Sequence, residues 1–291
     1  MLIILTLILY NELVYLEEWI NFHLIQGVDK LYIYINYKKD SMNNTLFDDV
    51  KKKYSKNIIF VHINFKHHIH VHHFFENYYQ KHLNDWMTII DIDEFLYSPL
   101  ENKKITDIIQ IYEQEKKYAI GINWKCFGSN NIDKNPRYEV LKTFTKCSDK
   151  YFGINQVIKS LFKISSIDKN NIKKMSIHKY PLKKDYRYYT STGLDYIQHN
   201  KNNFEKLKLY RKEYLQYINK LDNNIRCDNY ILYNEENPWL IINHYILRSK
   251  EEYKLKIDNN SCRKDRYNLN IFSNLNKVLN IKTDTSILQK L

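Results

Sequence analysis

The opening thirty-six residues constrain the fold more tightly than any other stretch. Residues 2–9, Leu-Ile-Ile-Leu-Thr-Leu-Ile-Leu, are apolar apart from one threonine. A short apolar run without alternation reads as a strand covered on both faces, as in a parallel sheet. Leu13, Leu16, Ile20 and Leu24 then recur at helical spacing, with Asn11 placed to cap the helix and Gly27 to end it. Residues 31–35 return to strand composition. Strand, helix and strand in so short a span predict a βαβ unit, and hence a parallel sheet. The first run is shorter than the roughly 20 residues that a membrane span needs. It has no basic segment before it and no small-residue cleavage site after it, so a buried strand is expected, not a signal peptide or transmembrane anchor.

The alternation continues. Residues 58–63 predict a third strand, 74–83 a helix and 86–90 a fourth strand. Ile105, Ile108, Ile109 and Tyr112 have helical spacing, whereas Tyr118, Ile120, Ile122 and Trp124 alternate as a strand. Later signals are weaker: strands over 156–164 and 239–242, and a Lys/Asn-rich, partly helical region over 201–234. The expected fold is α/β, a mixed and mainly parallel sheet with helices on both faces and a C-terminal extension. One domain is expected over 1–291, in two halves at about 1–100 and 101–291.

The formal net charge of +12 suits an anionic partner, or reflects a chain rich in Lys, Asn, Ile and Tyr throughout. The lysines are scattered and form no basic stripe interleaved with aromatics, so nucleic acid is not an expected partner. Cys126, Cys147, Cys227 and Cys262 form no CxxC pair, which leaves no zinc or redox signature. His67, His68, His70, His72 and His73 lack an acidic or cysteine partner nearby. A solvated loop or a stretch of open surface is expected there in preference to a metal site.

The sharpest chemical feature is Trp86-Met-Thr-Ile-Ile-Asp-Ile-Asp-Glu-Phe95, an apolar strand running directly into Asp91, Asp93 and Glu94. Residues two apart in extended chain project to one side, so Asp91 and Asp93 are expected to point together. Two such carboxylates repel unless a cation or a proton lies between them. Their oxygens suit Mg²⁺ or Mn²⁺, which keep open positions for water and phosphate. The carboxyl end of a strand is also where open α/β sheets bind ligands. The plain alternative is an acidic turn that caps a helix.

Further residues carry a likeness to a known family. Asn11-Glu12, Glu18-Trp19, His23, Gly27-Val28-Asp29 and the Tyr32 to Tyr34 strand resemble the opening of glycosyltransferase family 92 and related family 2-like enzymes. Asp91-Ile92-Asp93-Glu94-Phe95 is similar to the family's Asp-x-Asp-Glu-Phe segment, and Trp124 with Phe127-Gly128-Ser129 to its Trp-x-x-Phe-Gly-Ser turn. Lys159-Ser160 and His178 match a following strand and its histidine. Asn243-His244-Tyr245, Arg248-Ser249 and Glu251-Glu252 resemble the closing block. The resemblance implies a GT-A type, Rossmann-like fold and a metal-dependent glycosyltransferase using Mn²⁺ or Mg²⁺. It also implies inverting transfer, typically of galactose from a UDP-sugar donor, to a glycan or glycoprotein acceptor. One departure stands out. The family's second strand ends in Tyr-Asp-Asn, whereas Ile35 stands here in place of the acid, which leaves Asn36 or Asp40 to meet the nucleotide base.

Roles follow on that reading. Asp91, Asp93 and His244 hold the metal; His244 is otherwise a satisfied histidine at a strand end. Asn11 and Glu12 lie just past the first strand where a nucleotide is met, or serve only as caps. His178, Arg248 and Lys250 attend the diphosphate, or else Arg248 and Lys250 mark an exposed helix start. Trp124, Phe127, Gly128 and Ser129 form an acceptor wall, or pack in the core. The catalytic base is Glu94 or Asp133, because Asp or Glu is the usual group for taking a hydroxyl proton. Two other functions remain open: a nucleotidyltransferase acting on sugar phosphates, and a basic, non-enzymatic binding protein. The former typically carries a Gly-rich loop after the first strand, and Tyr10-Asn11-Glu12-Leu13 has no glycine. A soluble, cytoplasmic protein is expected.

Overall fold

The computed structural model describes residues 1–36, 45–63, 69–134, 139–174, 178–218, 237–259 and 268–291. In chain order the elements are β1 (Leu2–Leu9), α1 (Leu16–Ile25), β2 (Lys30–Asn36), α2 (Thr45–Lys53), β3 (Ile58–Ile63), α3 (Ile69–Asn77), β4 (Trp86–Ile89) and β5 (Glu94–Tyr97). There follow α4 (Ile105–Gln114), β6 (Ala119–Cys126), α5 (Val140–Thr143), β7 (Lys146–Cys147), β8 (Ile158–Lys163), α6 (Tyr196–Asn202) and α7 (Phe204–Tyr217). The chain closes with β9 (Ile241–His244), α8 (Lys250–Asn259), α9 (Leu269–Leu279) and β10 (Lys282–Thr283).

Eight strands form one sheet in the order β3-β2-β1-β4-β8-β6-β9-β5. The β1–β2, β2–β3, β1–β4 and β6–β9 pairs are parallel, whereas β8 runs against β4 and β6, and β5 runs against β9. This is the expected α/β class with a mixed, mainly parallel sheet. The opening βαβ unit is present, and Ile4 and Ile8 face one apolar core while Ile3 and Leu5 face the other. One core receives Leu16 and Trp19 of α1, Ile108 of α4 and Leu275 of α9; the other receives Val71 and Phe74 of α3. Burial on both faces is why β1 carries no polar alternation. Gly27 ends α1 with φ at 93°, and the Val28 N–H reaches back 3.1 Å to the His23 carbonyl. A residue with a side chain resists that left-handed turn. Among the described residues no helix is long and apolar enough to cross a membrane.

Several boundaries differ from expectation, each for a tertiary reason. Asn11 does not cap α1, because a 3₁₀ turn over Tyr10–Tyr15 intervenes. Tyr15 of that turn is held from across the molecule, its hydroxyl donating to Glu252. The helix expected over 74–83 begins earlier and stops at Asn77, with a separate 3₁₀ turn at Gln80–His82. That shift puts His70, His72 and His73 on a helix instead of a loop. His73 and His70 pack on the Tyr34 ring, and the Tyr34 hydroxyl lies 3.0 Å from His73 Nδ1. His67, His68, Cys227, Cys262 and most of the 201–234 region beyond α7 lie outside the described residues. Cys126 and Cys147 are buried free thiols.

Candidate active site

The parallel strands β4, β6 and β9 end at one edge of the sheet. The antiparallel β8 and β5 begin there, so Lys159 near the start of β8 and Glu94 at the start of β5 join that edge. Cys126 and Glu94 both lie opposite His244 in register.

The acid turn is not the extended ladder that the sequence suggests. β4 stops at Ile89, Ile92 and Asp93 form a turn, and β5 starts at Glu94. The turn is closed twice: the Glu94 N–H donates to the Asp91 carbonyl at 3.0 Å, and the Asp91 N–H donates to Glu94 Oε2 at 3.0 Å. Asp91 and Asp93 therefore part company. The Asp91 side chain is 54% exposed and its Oδ2 meets Lys159 Nζ at 3.0 Å, whereas that of Asp93 is 6% exposed and faces inward. Asp93 Oδ2 accepts from Lys256 Nζ at 2.9 Å and lies 3.9 Å from Arg248 Nη2; its Oδ1 is 3.7 Å from His244 Nε2. Burial pushes both aspartates up, but the net shift is downward: Lys159 dominates the lowering at Asp91, and Lys256, His244 and Arg248 at Asp93. Both carboxylates are thus engaged by lysines of the chain itself. Among the described residues no group of three or more His, Cys, Asp or Glu side chains is gathered for a metal.

Glu94, expected as a base, has no exposed surface. Its Oε2 is taken by the Asp91 N–H and lies 3.4 Å from Lys159, while Oε1 has no hydrogen-bond partner among the described residues. Burial pushes its carboxyl well up, only partly offset by Lys159. In this structure Glu94 is enclosed and braces the turn. Asp133, the other candidate, is exposed on the segment after β6, and its carbonyl accepts the Glu251 N–H at 2.9 Å.

Arg248 is the hub of the C-terminal side. Its backbone is left-handed, φ 51°, which costs about 1–2 kcal/mol for a residue bearing a side chain. The guanidinium lies 4.4 Å over the Tyr15 ring, with Nε 3.6 Å from Glu252 and Nη2 3.9 Å from Glu12. Ser249 and Glu252 cap the start of α8: the Ser249 hydroxyl donates to Glu252 Oε2 at 2.7 Å, and its N–H does so at 3.0 Å. Lys250, expected to neutralise a diphosphate, is exposed at the first position of α8, and its ammonium makes no ion pair among the described residues. Lys256, six residues on, is the lysine of α8 that meets Asp93. The sequence signal for it was present: Lys256 follows Glu252 by four residues, on one helix face.

Trp124 packs between His244 and His178. The Trp124 ring lies 4.3 Å from that of His244 and 5.3 Å from that of His178. His178 Nδ1 sits 2.9 Å from the Ile158 carbonyl. Burial lowers the His178 and His244 imidazoles to about 3 and about 4, so both are neutral. Trp124 Nε1 and His244 Nδ1 are buried without a hydrogen-bond partner among the described residues. Phe127, Gly128 and Ser129, expected beside Trp124 as an acceptor wall, are packed away from it. Phe127 stacks on Tyr245 at 4.8 Å, Ser129 donates to Asn276 at 2.7 Å, and Gly128 abuts the end of α9.

Glu12 is brought to the site by Arg248. Asn11 lies in the same 3₁₀ turn and Asn36 ends β2 opposite Leu9, and their side chains fall outside the described residues, as does all of Asp40. The Glu18, Trp19 and His23 motif residues gain a structural reason. Glu18 accepts the Val140 and Leu141 N–H groups at 2.7 and 3.1 Å, Trp19 Nε1 donates to the Glu94 carbonyl at 2.9 Å, and His23 Nε2 accepts the Leu96 N–H at 3.2 Å. Helix α1 thereby pins the strand that follows the acid turn.

The family model of glycosyltransferase family 92 matches residues 6–235. A search of curated proteins gives no match. Among solved structures, S. aureus TarS 1-349 in complex with UDP is similar at TM-score 0.40 and 10% identity, over 77% of this chain and 76% of that one. S. aureus TarS is similar at TM-score 0.36 and 9% identity, over 59% of this chain. HddC from Yersinia pseudotuberculosis is similar at TM-score 0.34 and 11% identity, over 65% of this chain and 90% of that one. The chain spans 30% of the TarS chain and 65% of another TarS 1-349 structure.

Proposed function

Because the chain belongs to glycosyltransferase family 92, we propose that it transfers a sugar from a nucleoside diphosphate sugar to a hydroxyl acceptor at the sheet edge around Asp91, Asp93 and His244. The observation that carries this reading is the charge balance there. Four carboxylates, Asp91, Asp93, Glu12 and Glu252, face three cations, Lys159, Arg248 and Lys256. Burial favours the neutral forms of Glu94, His178 and His244. One negative charge is left over, and it repels a diphosphate.

A divalent cation would reverse that sign, and one pair in the site stands at a spacing that two ligands of one ion adopt. Asp93 Oδ1 and His244 Nε2 face each other across 3.7 Å. That is too far for a hydrogen bond, but two ligands placed about 2.1 Å from one ion stand roughly 3–4 Å apart. Asp93, His244 and the half-exposed Asp91 would hold Mn²⁺ or Mg²⁺, which supplies positive charge to the departing diphosphate. Arg248 adds a fixed cation on the same side. Trp124 Nε1 offers a buried donor to a sugar or phosphate oxygen.

The family reading supplies the finer terms: UDP as nucleotide, galactose as sugar, inversion as outcome, and a glycan or glycoprotein as acceptor. Asn11, Glu12, Asn36 and Asp40 are assigned to the nucleotide side. Inversion needs a base that takes the acceptor proton as its oxygen bonds to the anomeric carbon and the bond to phosphate breaks. Asp133 takes that role in this reading, being exposed and tied by its carbonyl to the start of α8. The test is calorimetry with UDP and UDP-galactose, with and without Mn²⁺, on the native protein and on Asp91→Asn and Asp93→Asn. Binding that requires Mn²⁺ and is lost in Asp93→Asn supports the reading. Undiminished, metal-independent binding in both variants would end it.

A further inference from the structure

We propose that Asn276 and Asn280 of α9 are positioning residues: they fix the turn at 129–131 and, through it, the start of α8, which carries Lys256 to Asp93. The proposal rests on the reading that transfer takes place around Asp93. It gives a role to a helix beyond residue 235, where the family match ends.

Two neighbouring residues of the turn after β6, Asn130 and Asn131, are left-handed, with φ 52° and 61°. Asparagine tolerates that backbone better than most residues, but it remains costly for any residue with a side chain. Such conformations persist where the surroundings hold them, and here the hold comes from α9. Asn276 and Asn280 are four apart and share one helix face. Asn276 Oδ1 accepts from the Ser129 N–H at 3.2 Å and from the Ser129 hydroxyl at 2.7 Å, and Asn280 Oδ1 accepts the Asn130 N–H at 3.0 Å. Both Nδ2 groups donate to Asn131 Oδ1, at 3.0 and 3.2 Å, and Asn280 Nδ2 also donates to Asn276 Oδ1 at 2.7 Å. Every residue of the turn is therefore held by these two side chains.

The next two residues pass the constraint on. The Ile132 N–H donates to the Ser129 carbonyl at 2.9 Å, and the Ile132 and Asp133 carbonyls accept the Lys250 and Glu251 N–H groups at 3.0 and 2.9 Å. Those N–H groups belong to the first turn of α8 and have no acceptor within their own helix. The turn thus sets where α8 begins. Arg248, two residues before that start, lies 3.9 Å from Asp93, and Lys256 of α8 lies 2.9 Å from it. Tyr253 packs on Phe272 with ring centroids 5.1 Å apart, which joins α8 to α9 by a separate apolar contact. Loss of the amide contacts leaves that contact in place and frees the turn.

Two measurements test the two links. Amide hydrogen exchange at Lys250 and Glu251 reads the start of α8 without any ligand. UDP release from UDP-galactose with Mn²⁺ reads the reaction. Asn276→Ala is expected to speed exchange at both amides by roughly three- to tenfold and to lower kcat by about ten- to hundredfold. Asn276→Asp keeps the oxygen that serves Ser129 and Asn280 and loses the bond to Asn131, so both readouts should return to within about threefold of the native protein. Val278→Ala trims an apolar side chain of the same helix; its urea midpoint should fall while exchange at the two amides and kcat stay put. Asn280→Ser replaces Asn276→Ala if circular dichroism shows that variant unfolded. Unchanged exchange in Asn276→Ala, faster exchange with unchanged kcat, or an equal loss of kcat in Val278→Ala overturns the proposal. If the native protein releases no UDP, the donor reading fails and the role in transfer falls with it, while the exchange result still decides whether α9 sets the start of α8.

Discussion

Acid should loosen the strand that follows the turn at 91–94, and His23 sets how fast. Its imidazole has no exposed surface; Nδ1–H donates to the Trp19 carbonyl at 2.8 Å and Nε2 accepts the Leu96 N–H at 3.2 Å. A second proton would displace the Leu96 bond and bury a charge. Burial accordingly lowers this histidine from 6.5 to about 3, against the opposing pull of the Trp19 carbonyl. The unfolded chain therefore binds more protons between these values. Stability is fully present above pH 6.5 and drains as the pH falls towards 3. The slope is about 1.4 kcal/mol per pH unit, or about 2 kcal/mol between pH 6.5 and 5. His23→Gln removes that slope. At pH 7.5 the variant should be less stable by about 2–3 kcal/mol, because the ring packed between Trp19 at 4.4 Å and Phe95 at 5.9 Å is lost. By pH 5 the gap should shrink by about 2 kcal/mol. Urea unfolding at pH 7.5, 6.5 and 5, with matched m-values, measures it. His178 and His244 add acid sensitivity to both proteins and cancel in the difference. A gap of equal size at pH 7.5 and pH 5 would refute the argument.

Two further outcomes follow from the site and its surroundings. Asp133→Asn should lower kcat by about 10²–10⁴ with UDP affinity unchanged, whereas Glu94→Gln, which preserves the shape of a buried carboxyl, should stay within about tenfold of the native rate. Steady-state transfer assays decide this, and the reverse ranking would exchange the two roles. Gly128→Ala should cost about 1–3 kcal/mol in urea unfolding, because its methyl would strike the Asn280 amide oxygen and lie 2.8 Å from the Leu279 carbonyl. An unchanged midpoint would show that the end of α9 yields freely.

Much of this protein was legible in its residues because the relevant forces are local. The βαβ opening, the Gly27 stop and the acidic strand end were readable from apolar periodicity and turn chemistry alone. The Asp91-Ile92-Asp93-Glu94 segment was visible as a site, yet its shape was misread: an extended ladder was expected, and Glu94 instead folds its carboxylate back onto the Asp91 N–H. Trp124 and Phe127 were read together as an acceptor wall, but both are buried and Phe127 stacks on Tyr245, because packing and not residue type separates a wall from a core.

Which cation answers which carboxylate could not be read in this way. Asp93 and Lys256 are 163 residues apart, and Asp91 and Lys159 are 68. The pairs exist because two antiparallel strands enter the sheet where the parallel ones end, and because α8, which follows the left-handed turn at Arg248, carries Lys256 to Asp93. Sequence determined the elements and the stock of charges. Tertiary structure alone decided their pairing, because electrostatic partners are chosen by distance in space and by burial, neither of which a linear order encodes.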